Sequence, residues 1–253
     1  MRFSSYIICG TPRSGSTLLC DLLASTGVAG KPHSYYRNED ASYWAKLWRV
    51  PKPYQLDKAE FERAYLSAMI REDTAETGIF GLRIMWSSIA DASKRLDAIE
   101  GGHAHVAARF AKAFGSTLYI HLSRQDKLAQ AISLIRAEQS GLWHRAADGT
   151  ERERTAPPQT PIYDADRIAE VLSELQNDDA AWTGFFSTRG INPLRLTYET
   201  LTANPKRALT EILSALGQDP KASGRMLVQT SKLANADSLE WADRYRLETR
   251  SNS

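Results

Sequence analysis

Short uninterrupted apolar runs alternate along this chain with longer segments in which apolar residues recur every three or four positions. The short runs predict buried strands, at residues 5–10, 78–86, 117–122 and 193–198. The longer segments predict amphipathic helices, at residues 16–26, 56–70, 105–115, 126–139, 164–190 and 204–217. Because strands and helices alternate, the pattern predicts an α/β fold with a mainly parallel sheet flanked by helices.

Polar residues at the helix ends support these boundaries. Asp57 stands three residues before Glu60, which is the spacing of a capping box, where each side chain bonds the backbone N–H of the other residue. Asp126 and Asn204 stand just before two later helical segments, and both residue types cap helices well. We therefore expect three helices to begin directly after these residues.

No repeat and no change of composition divides the 253 residues. This length suits one large α/β domain, so residues 1–253 are predicted to form a single domain. The regular pattern is lost only near 144–161, a stretch rich in charge, proline and glycine. A loop of that length in a compact domain is typically a lid, a binding loop or disordered. It would equally suit the arm of a homodimer.

Composition narrows the classes of function. The formal net charge is only +2, whereas binding to nucleic-acid phosphates needs clustered positive charge. The apolar runs are too short for a signal peptide or a membrane span. Cys9 and Cys20 have neither the spacing of a metal site nor the number needed for a disulfide framework. We expect a cytoplasmic protein with reduced thiols, no membrane span and no nucleic-acid partner.

The first predicted strand leads into GTPRSGSTLL, residues 10–19. The spacing matches a phosphate-binding loop, except that Ser16 stands where nucleotide triphosphatases carry lysine. Backbone N–H groups at the start of the following helix, together with its dipole, favour an anion there. Arg13 adds a cation that can bind two oxygens at once. The sequence therefore predicts an anion site between the first strand and the first helix.

The residues around this loop favour a site without a metal ion. Nucleotide triphosphatases hold Mg²⁺ with a loop hydroxyl and an acidic residue at the end of another strand. Here the strand at 117–122 is followed by Arg124, and Glu199 after the last strand is the alternative acidic residue. The missing lysine and the position of Arg124 favour an anionic nucleotide bound without metal over a kinase.

Three segments together resemble the bacterial sulfotransferases of the trehalose 2-sulfotransferase type: GTPRSGSTLL, HLSRQDKLAQAISLIRAEQSGLW and SLEWADRYR. The segments STGVAGKP and GLRIMW also resemble the family at matching places, and the similarity runs from about residue 5 to about residue 246. The resemblance implies a sulfotransferase fold like that of the P-loop NTPases. It further implies an enzyme that uses 3′-phosphoadenosine 5′-phosphosulfate (PAPS) as co-substrate and needs no metal. The acceptor would be a hydroxyl of a carbohydrate, a glycolipid or a related small molecule.

The resemblance also implies roles for individual residues. The loop that would bind the 5′-phosphosulfate consists of Thr11, Pro12, Arg13, Ser14, Gly15, Ser16 and Thr17. Arg124 and Ser133 would bind the 3′-phosphate. The position of Arg124 is reasonable in itself, because parallel sheets bind ligands at the carboxyl ends of their strands. Ser133 lies two turns into the next helix, and Gln130, one turn earlier, is an alternative.

Sulfuryl transfer to a hydroxyl needs a group that accepts the proton. In the family a glutamate is expected at the place of Ser34, and serine cannot act as a base at neutral pH. A second strand around VAGKP is expected to bring residues 33–36 back to the sheet edge near the loop. His33 is the candidate base because an ordinary histidine has a pKa of about 6.5, and Glu39 is the alternative. Arg13 is predicted to stabilise charge on the leaving oxygen.

Other residues leave alternatives open. Arg83, near the carboxyl end of its strand, could touch a phosphate or the acceptor, or form no such contact. A group of aromatic residues fits either acceptor binding or core packing: Tyr35, Tyr36, Tyr43, Trp44 and Trp48.

Two further functions of the whole protein also fit the sequence. One is a P-loop phosphotransferase, and the other is a nucleotide-binding protein that has lost catalysis.

Overall fold

The structure, a computed structural model, describes residues 3–51, 55–100, 102, 105–231 and 236–251. Its strands are β1 (Ser5–Gly10), β2 (Phe80–Met85), β3 (Thr117–Ser123), β4 (Leu142–Ala146), β5 (Glu151–Arg154), β6 (Leu194–Thr197) and β7 (Thr230–Ser231). Four of them form a sheet in the order β2-β1-β3-β6, and each neighbouring pair is parallel. The predicted α/β fold with a parallel sheet is confirmed.

The helices are α1 (Ser16–Ser25), α2 (Asn38–Leu47), α3 (Lys58–Thr74), α4 (Trp86–Glu100), α5 (Val106–Phe114), α6 (Lys127–Ser140), α7 (Ala165–Thr188), α8 (Tyr198–Ala203), α9 (Pro205–Ala215) and α10 (Ala236–Ser251). The three predicted caps are confirmed. Asp57 and Glu60 form the capping box of α3, and Asp126 and Asn204 accept backbone N–H bonds at the starts of α6 and α9. None of the described helices is long and apolar enough to cross a membrane.

Apolar side chains cover both faces of the parallel sheet. Along β1, Tyr6 and Ile8 pack on one face with residues of α1 and α9, such as Leu19 and Leu209. Ile7 and the free thiol of Cys9 pack on the other face. This alternation explains why the run reads as continuously apolar, since a central parallel strand is buried on both sides.

The register of the strands aligns their carboxyl ends. Gly10, the last residue of β1, pairs with Met85 at the end of β2 and with Leu122 near the end of β3. The segments that follow these three strands therefore emerge side by side. Parallel α/β sheets bind ligands at this edge, and the loop after β1 lies at its centre.

The strand expected around VAGKP is not formed. Only one residue of the returning segment pairs with the sheet, as an isolated parallel bridge between His33 and Leu82. The backbone N–H groups of Lys31 and Gly81 instead donate to the buried carboxylate of Asp73, at 3.0 and 2.6 Å. Pro32 in addition has no N–H to give to a ladder. The segment still reaches the sheet edge beside β2, as predicted, without forming a regular strand.

Replacing Asp73 by alanine is expected to lower the free energy of unfolding by about 2–4 kcal/mol, because two buried backbone donors lose their acceptor. The matched control is Asp57→Ala, which removes an exposed helix cap and should cost about 1 kcal/mol. Urea unfolding curves with unchanged slope would measure both changes. Equal losses in the two variants would contradict this role of Asp73.

The segment near 144–161 is partly a β-hairpin, so the expectation of a continuous loop is wrong. β4 and β5 pair antiparallel, and β7 pairs with the other side of β4. Asp148 and Gly149 make the turn: Thr150 donates to the Asp148 carboxylate, and Gly149 has a φ of 85°. The residues 155–161 have no regular structure. The hairpin covers the loop after β1 and adds residues to the candidate site.

Candidate active site

A cavity of about 1180 Å³ opens at the carboxyl edge of the parallel sheet. Residues from the loop after β1, the segment before α2, β2, α6 and the β4–β5 hairpin line it. The structure brings most of the predicted site residues together here. Those that line the cavity are Pro12, Arg13, Gly15, Ser16, Thr17, His33, Arg124 and Ser133.

The loop after β1 has two residues in the left-handed backbone region, Arg13 with φ 62° and Gly15 with φ 86°. A non-glycine residue rarely adopts such a φ, and this strain is typical of functional sites. A Cβ on Gly15 would lie 2.6 Å from the ring of Tyr198. Gly15 also caps α1 without a side-chain hydrogen bond. The backbone N–H groups at the start of α1 therefore have no side-chain cap between them and the cavity.

Arg13 links the loop to the predicted second phosphate-binding segment. Its Nε donates to Ser133 Oγ at 3.0 Å, and its Nη1 donates to the carbonyl of Trp143 at 2.7 Å. Burial and, after it, the charge of the neighbouring Arg124 lower the pKa of the Arg13 guanidinium to about 10. The group still carries its charge at neutral pH.

Arg124 lies next to Arg13 without a carboxylate partner. Its Nη1 is 3.4 Å from the carbonyl of Arg13, its guanidinium lies 4.6 Å from the centre of the Tyr198 ring, and its Nε is buried. Among the described residues, neither guanidinium forms an ion pair with a carboxylate, and Arg124 Nε has no hydrogen-bond partner. Charges withdrawn from water are normally paired, so two adjacent, half-buried arginines without a carboxylate partner indicate a site for a multiply charged anion.

Thr11, Ser14 and Gln130 lie beneath the loop. Gln130 is fully buried, and its amide nitrogen donates to Thr11 Oγ1 at 2.8 Å and to the Pro12 carbonyl at 2.6 Å. Thr11 and Ser14 are also fully buried, and neither lines the cavity. Gln130 therefore supports the loop from below. Because it does not line the cavity, it is not in a position to bind the 3′-phosphate in place of Ser133.

Arg83 reaches the first turn of α1. Its Nη1 donates to Thr17 Oγ1 and its Nε to Ser34 Oγ, both at 2.7 Å. The sequence did not decide what Arg83 contacts. In the structure its guanidinium is fixed by the hydroxyl groups of Thr17 and Ser34. These two bonds hold a third guanidinium at the wall of the cavity.

His33 was predicted to be the base because an ordinary histidine has a pKa near neutrality, but its environment in the structure is not an ordinary one. Its ring packs against Trp44 at a centroid distance of 4.8 Å, and its Nδ1 is buried without a hydrogen-bond partner among the described residues. Burial, followed by the charge of Arg83, lowers the pKa of His33 to about 3. The expectation of an ordinary histidine pKa is therefore wrong. His33 is a neutral and weakly basic group in the free protein.

A second histidine, His144 of β4, lies at the same loop and was not predicted. Its Nε2 is 3.1 Å from Thr17 Oγ1 and 3.6 Å from a carboxylate oxygen of Glu153 on β5. Burial, then Arg13 and Arg83, lower the pKa of His144 to about 3. The sequence signal that could have found the hairpin carrying His144 is the Asp148–Gly149 dipeptide, which is typical of a hairpin turn.

Acidic residues do not form a metal site at the loop. Glu199 accepts the backbone N–H groups of Gln125 and Asp126, so its carboxylate is used at the start of α6. Within the described part of the chain, no group of three or more His, Cys, Asp or Glu residues is arranged to hold a metal ion. The cation-rich wall of the cavity instead suits an anionic ligand.

The part of the cavity that α2 lines is aromatic and acidic. Tyr43 and Trp44 of α2 line it, together with the nearby carboxylates of Glu39 and Asp40. Trp44 stacks on Trp48, and Trp48 packs on Tyr35 and Tyr65. Tyr35 and Trp48 of this aromatic group therefore pack in the core, while Tyr43 and Trp44 line the cavity.

Comparisons with known proteins give consistent results. A family model described as Stf0 sulphotransferase matches residues 5–248. The trehalose 2-sulfotransferase of Mycobacterium tuberculosis is 28% identical over 265 residues, an alignment that covers 96% of this chain and 94% of the relative. The enzyme of the same name from Mycolicibacterium smegmatis is also 28% identical, over 264 residues, with the same shares covered.

The fold also matches a solved structure. The sulfotransferase domain from the curacin biosynthetic pathway superposes with a TM-score of 0.50 and 15% sequence identity, and the match covers 97% of this chain and 99% of that domain. At this identity the likeness concerns the fold.

Proposed function

We propose that this chain, which belongs to the Stf0 sulphotransferase family, transfers a sulfuryl group from PAPS to a hydroxyl of a carbohydrate, a glycolipid or a related small molecule. Sulfotransferase function itself follows from the family; the donor and the acceptor are the proposal. The main support for this proposal is the pair of half-buried arginines at the loop, Arg13 and Arg124. PAPS has two separate anionic groups, and these arginines offer cationic partners on adjoining parts of one cavity.

The donor would lie across two subsites. The 5′-phosphosulfate would bind at residues 11–17, where the start of α1, Arg13 and Arg83 supply donors. Thr11 and Ser14 would contribute there through their backbone alone, because their side chains are buried. The 3′-phosphate would bind Arg124 and Ser133, which line the same cavity. The bond from Arg13 to Ser133 makes the two subsites neighbours.

Transfer without a metal ion is part of the proposal. Arginines at the donor subsite would stabilise the charge that moves to the bridging oxygen as the S–O bond breaks. In nucleotide triphosphatases the loop lysine and Mg²⁺ do this. Here Ser16 stands in place of the lysine, while Arg13 of the loop and Arg83, which bonds Thr17, would supply the charge.

A disaccharide is the first acceptor to test. The two mycobacterial relatives are named trehalose 2-sulfotransferase. In this chain Tyr43 and Trp44 offer apolar faces next to the carboxylates of Glu39 and Asp40, and carboxylates accept hydrogen bonds from hydroxyl groups. A cytoplasmic location and a homodimer remain predictions from the sequence.

The decisive assay mixes the protein with PAPS and trehalose in EDTA and follows sulfated product by mass spectrometry. We expect a product heavier than the acceptor by one sulfuryl group, formed together with adenosine 3′,5′-bisphosphate. Other sugars and glycolipids in parallel reactions define the acceptor class. A chain that binds the bisphosphate but transfers nothing to any acceptor would be a nucleotide-binding protein. Product formed only from ATP and Mg²⁺ would identify a phosphotransferase.

A further inference from the structure

We propose that His144 accepts the proton of the acceptor hydroxyl and that Glu153 stabilises the imidazolium that results. The inference rests on the proposed sulfuryl transfer. In the step, the acceptor oxygen forms a bond to sulfur, and the bond from sulfur to the bridging oxygen of PAPS breaks. The bridging oxygen keeps the electron pair and leaves as adenosine 3′,5′-bisphosphate. The hydroxyl proton moves to the imidazole of His144.

The position of His144 carries the proposal. Its Nε2 lies 3.1 Å from the hydroxyl of Thr17, in the first turn of α1, and Arg83 donates to that same hydroxyl at 2.7 Å. The imidazole thus stands at the end of the loop where the phosphosulfate would bind. Its side chain is 23% exposed and lines the cavity, so an acceptor can reach it.

Glu153 completes the arrangement. Its carboxylate lies 3.6 Å from His144 Nε2, because β4 and β5 place the two residues opposite one another in the hairpin. A nearby carboxylate favours the protonated form of a histidine. Glu153 therefore offers the charge that an imidazolium needs, on a wall that otherwise carries arginines.

Other residues near the loop fit this step less well. Glu39, the alternative base in the sequence, is exposed in the first turn of α2. Ser34 accepts a hydrogen bond from Arg83 and has no group that takes up a proton. His33 has no carboxylate within 4.0 Å among the described residues, and its ring lies between Tyr35 and Trp44. Its Nδ1 is buried without a partner in the described structure. His33 therefore serves better as a wall of the cavity.

The charges around His144 make its basicity depend on the donor. The charged groups that face the ring are Arg13 of the loop, Arg37 before α2, Arg83 of β2, and Arg152 and Glu153 of β5. With burial, the four arginines keep the imidazole neutral and weakly basic in the free protein. An anion bound among them offsets their charge, which raises the pKa of the histidine. The proton acceptor thus becomes effective when the donor is in place.

The test compares His144→Gln with His33→Gln in the full chain. General-base catalysis is typically worth about 10²–10⁴-fold, so we expect His144→Gln to lower kcat at least about 100-fold. Glutamine can still bond Thr17, and the Kd for adenosine 3′,5′-bisphosphate should change less than about threefold. His33→Gln changes the wall of the cavity, so its main effect should be on the KM of the acceptor, with a much smaller loss of kcat than in His144→Gln. A His144→Gln variant as active as the wild type would overturn the proposal, as would loss of kcat in His33→Gln alone.

The Glu153→Gln variant tests the role of the carboxylate through the pH dependence of kcat. A purely structural role of Glu153 would leave that pH dependence unchanged. Without the carboxylate the imidazole is a weaker base, so the acid limb of the kcat profile should shift to lower pH and the plateau should fall. An unmoved acid limb would contradict the role of Glu153. A wild-type chain without any transfer would instead refute the proposed function.

Nuclear magnetic resonance tests the charge coupling without an acceptor. The ¹⁵N imidazole signals of His144, assigned with the His144→Gln variant, are titrated with and without adenosine 3′,5′-bisphosphate. We expect the bound bisphosphate to raise the pKa by about one unit or more. An unchanged pKa at saturating bisphosphate would contradict the dependence on donor charge.

Discussion

Replacing Arg13 by alanine is expected to lower kcat about 10²–10³-fold, the usual cost of losing one preorganised donor at a developing negative charge. The Arg13 guanidinium is half-buried, stays charged, and is fixed by bonds to Ser133 and to the Trp143 carbonyl. A group held in this way needs no reorganisation when charge reaches the bridging oxygen. Steady-state kinetics with saturating PAPS and acceptor would measure the change.

The conservative variant Arg13→Lys separates charge from geometry. Lysine keeps the charge but cannot bond Ser133 and the Trp143 carbonyl in a fixed fork, so we expect an intermediate kcat. Unfolding curves of both variants check that the loop has kept its stability. A kcat within about threefold of the wild type in Arg13→Ala would mean that this guanidinium does not act on the reacting group.

Replacing Arg124 by alanine should weaken binding of adenosine 3′,5′-bisphosphate about 10–100-fold, because a hydrogen bond to a charged group is worth about 1.5–3 kcal/mol. The effect should depend on the 3′-phosphate. Adenosine 5′-monophosphate, which lacks it, should bind the variant and the wild type with nearly equal Kd. Calorimetric titration of both nucleotides would give the two ratios.

Arg136→Ala is the matched control for this variant. Arg136 lies on α6, pairs with Asp237 and packs on the ring of Trp241, and it does not line the cavity. Its removal should leave both nucleotide affinities unchanged. An Arg124→Ala variant that loses the same affinity for the monophosphate as for the bisphosphate would show that Arg124 supports the loop through its contact with the Arg13 carbonyl, and does not bind the 3′-phosphate.

The parallel sheet could be predicted from the sequence because its strands are buried on both faces. Such strands appear as continuous apolar runs, and β1 and β3 are almost entirely buried. The β4–β5 hairpin could not be found in the same way. Its second strand is Glu151–Arg154, four charged residues without an apolar face, so hydrophobic periodicity gives no signal there.

The candidate site was predictable in its outline, since a loop between a buried strand and a helix has a local spacing that can be recognised. The contacts that organise it are not local. Arg13 and Ser133 are 120 positions apart, and Thr17 and His144 are 127 apart. The lowered pKa of His33 could not be predicted from the sequence either, because it depends on burial and on the charge of Arg83. Residue type gives only the ordinary pKa, and the fold sets the rest.

One measurement tests the central claim most directly: calorimetric titration of the protein with adenosine 3′,5′-bisphosphate in EDTA, compared with ATP in the presence of Mg²⁺. Tight binding of the bisphosphate without metal, and weak binding of ATP, is the expected result. It would mean that the loop with Ser16 and the arginine pair bind a nucleotide with a 3′-phosphate, as a PAPS-dependent sulfotransferase must. Tight binding of ATP that requires Mg²⁺, with no binding of the bisphosphate, would contradict the account.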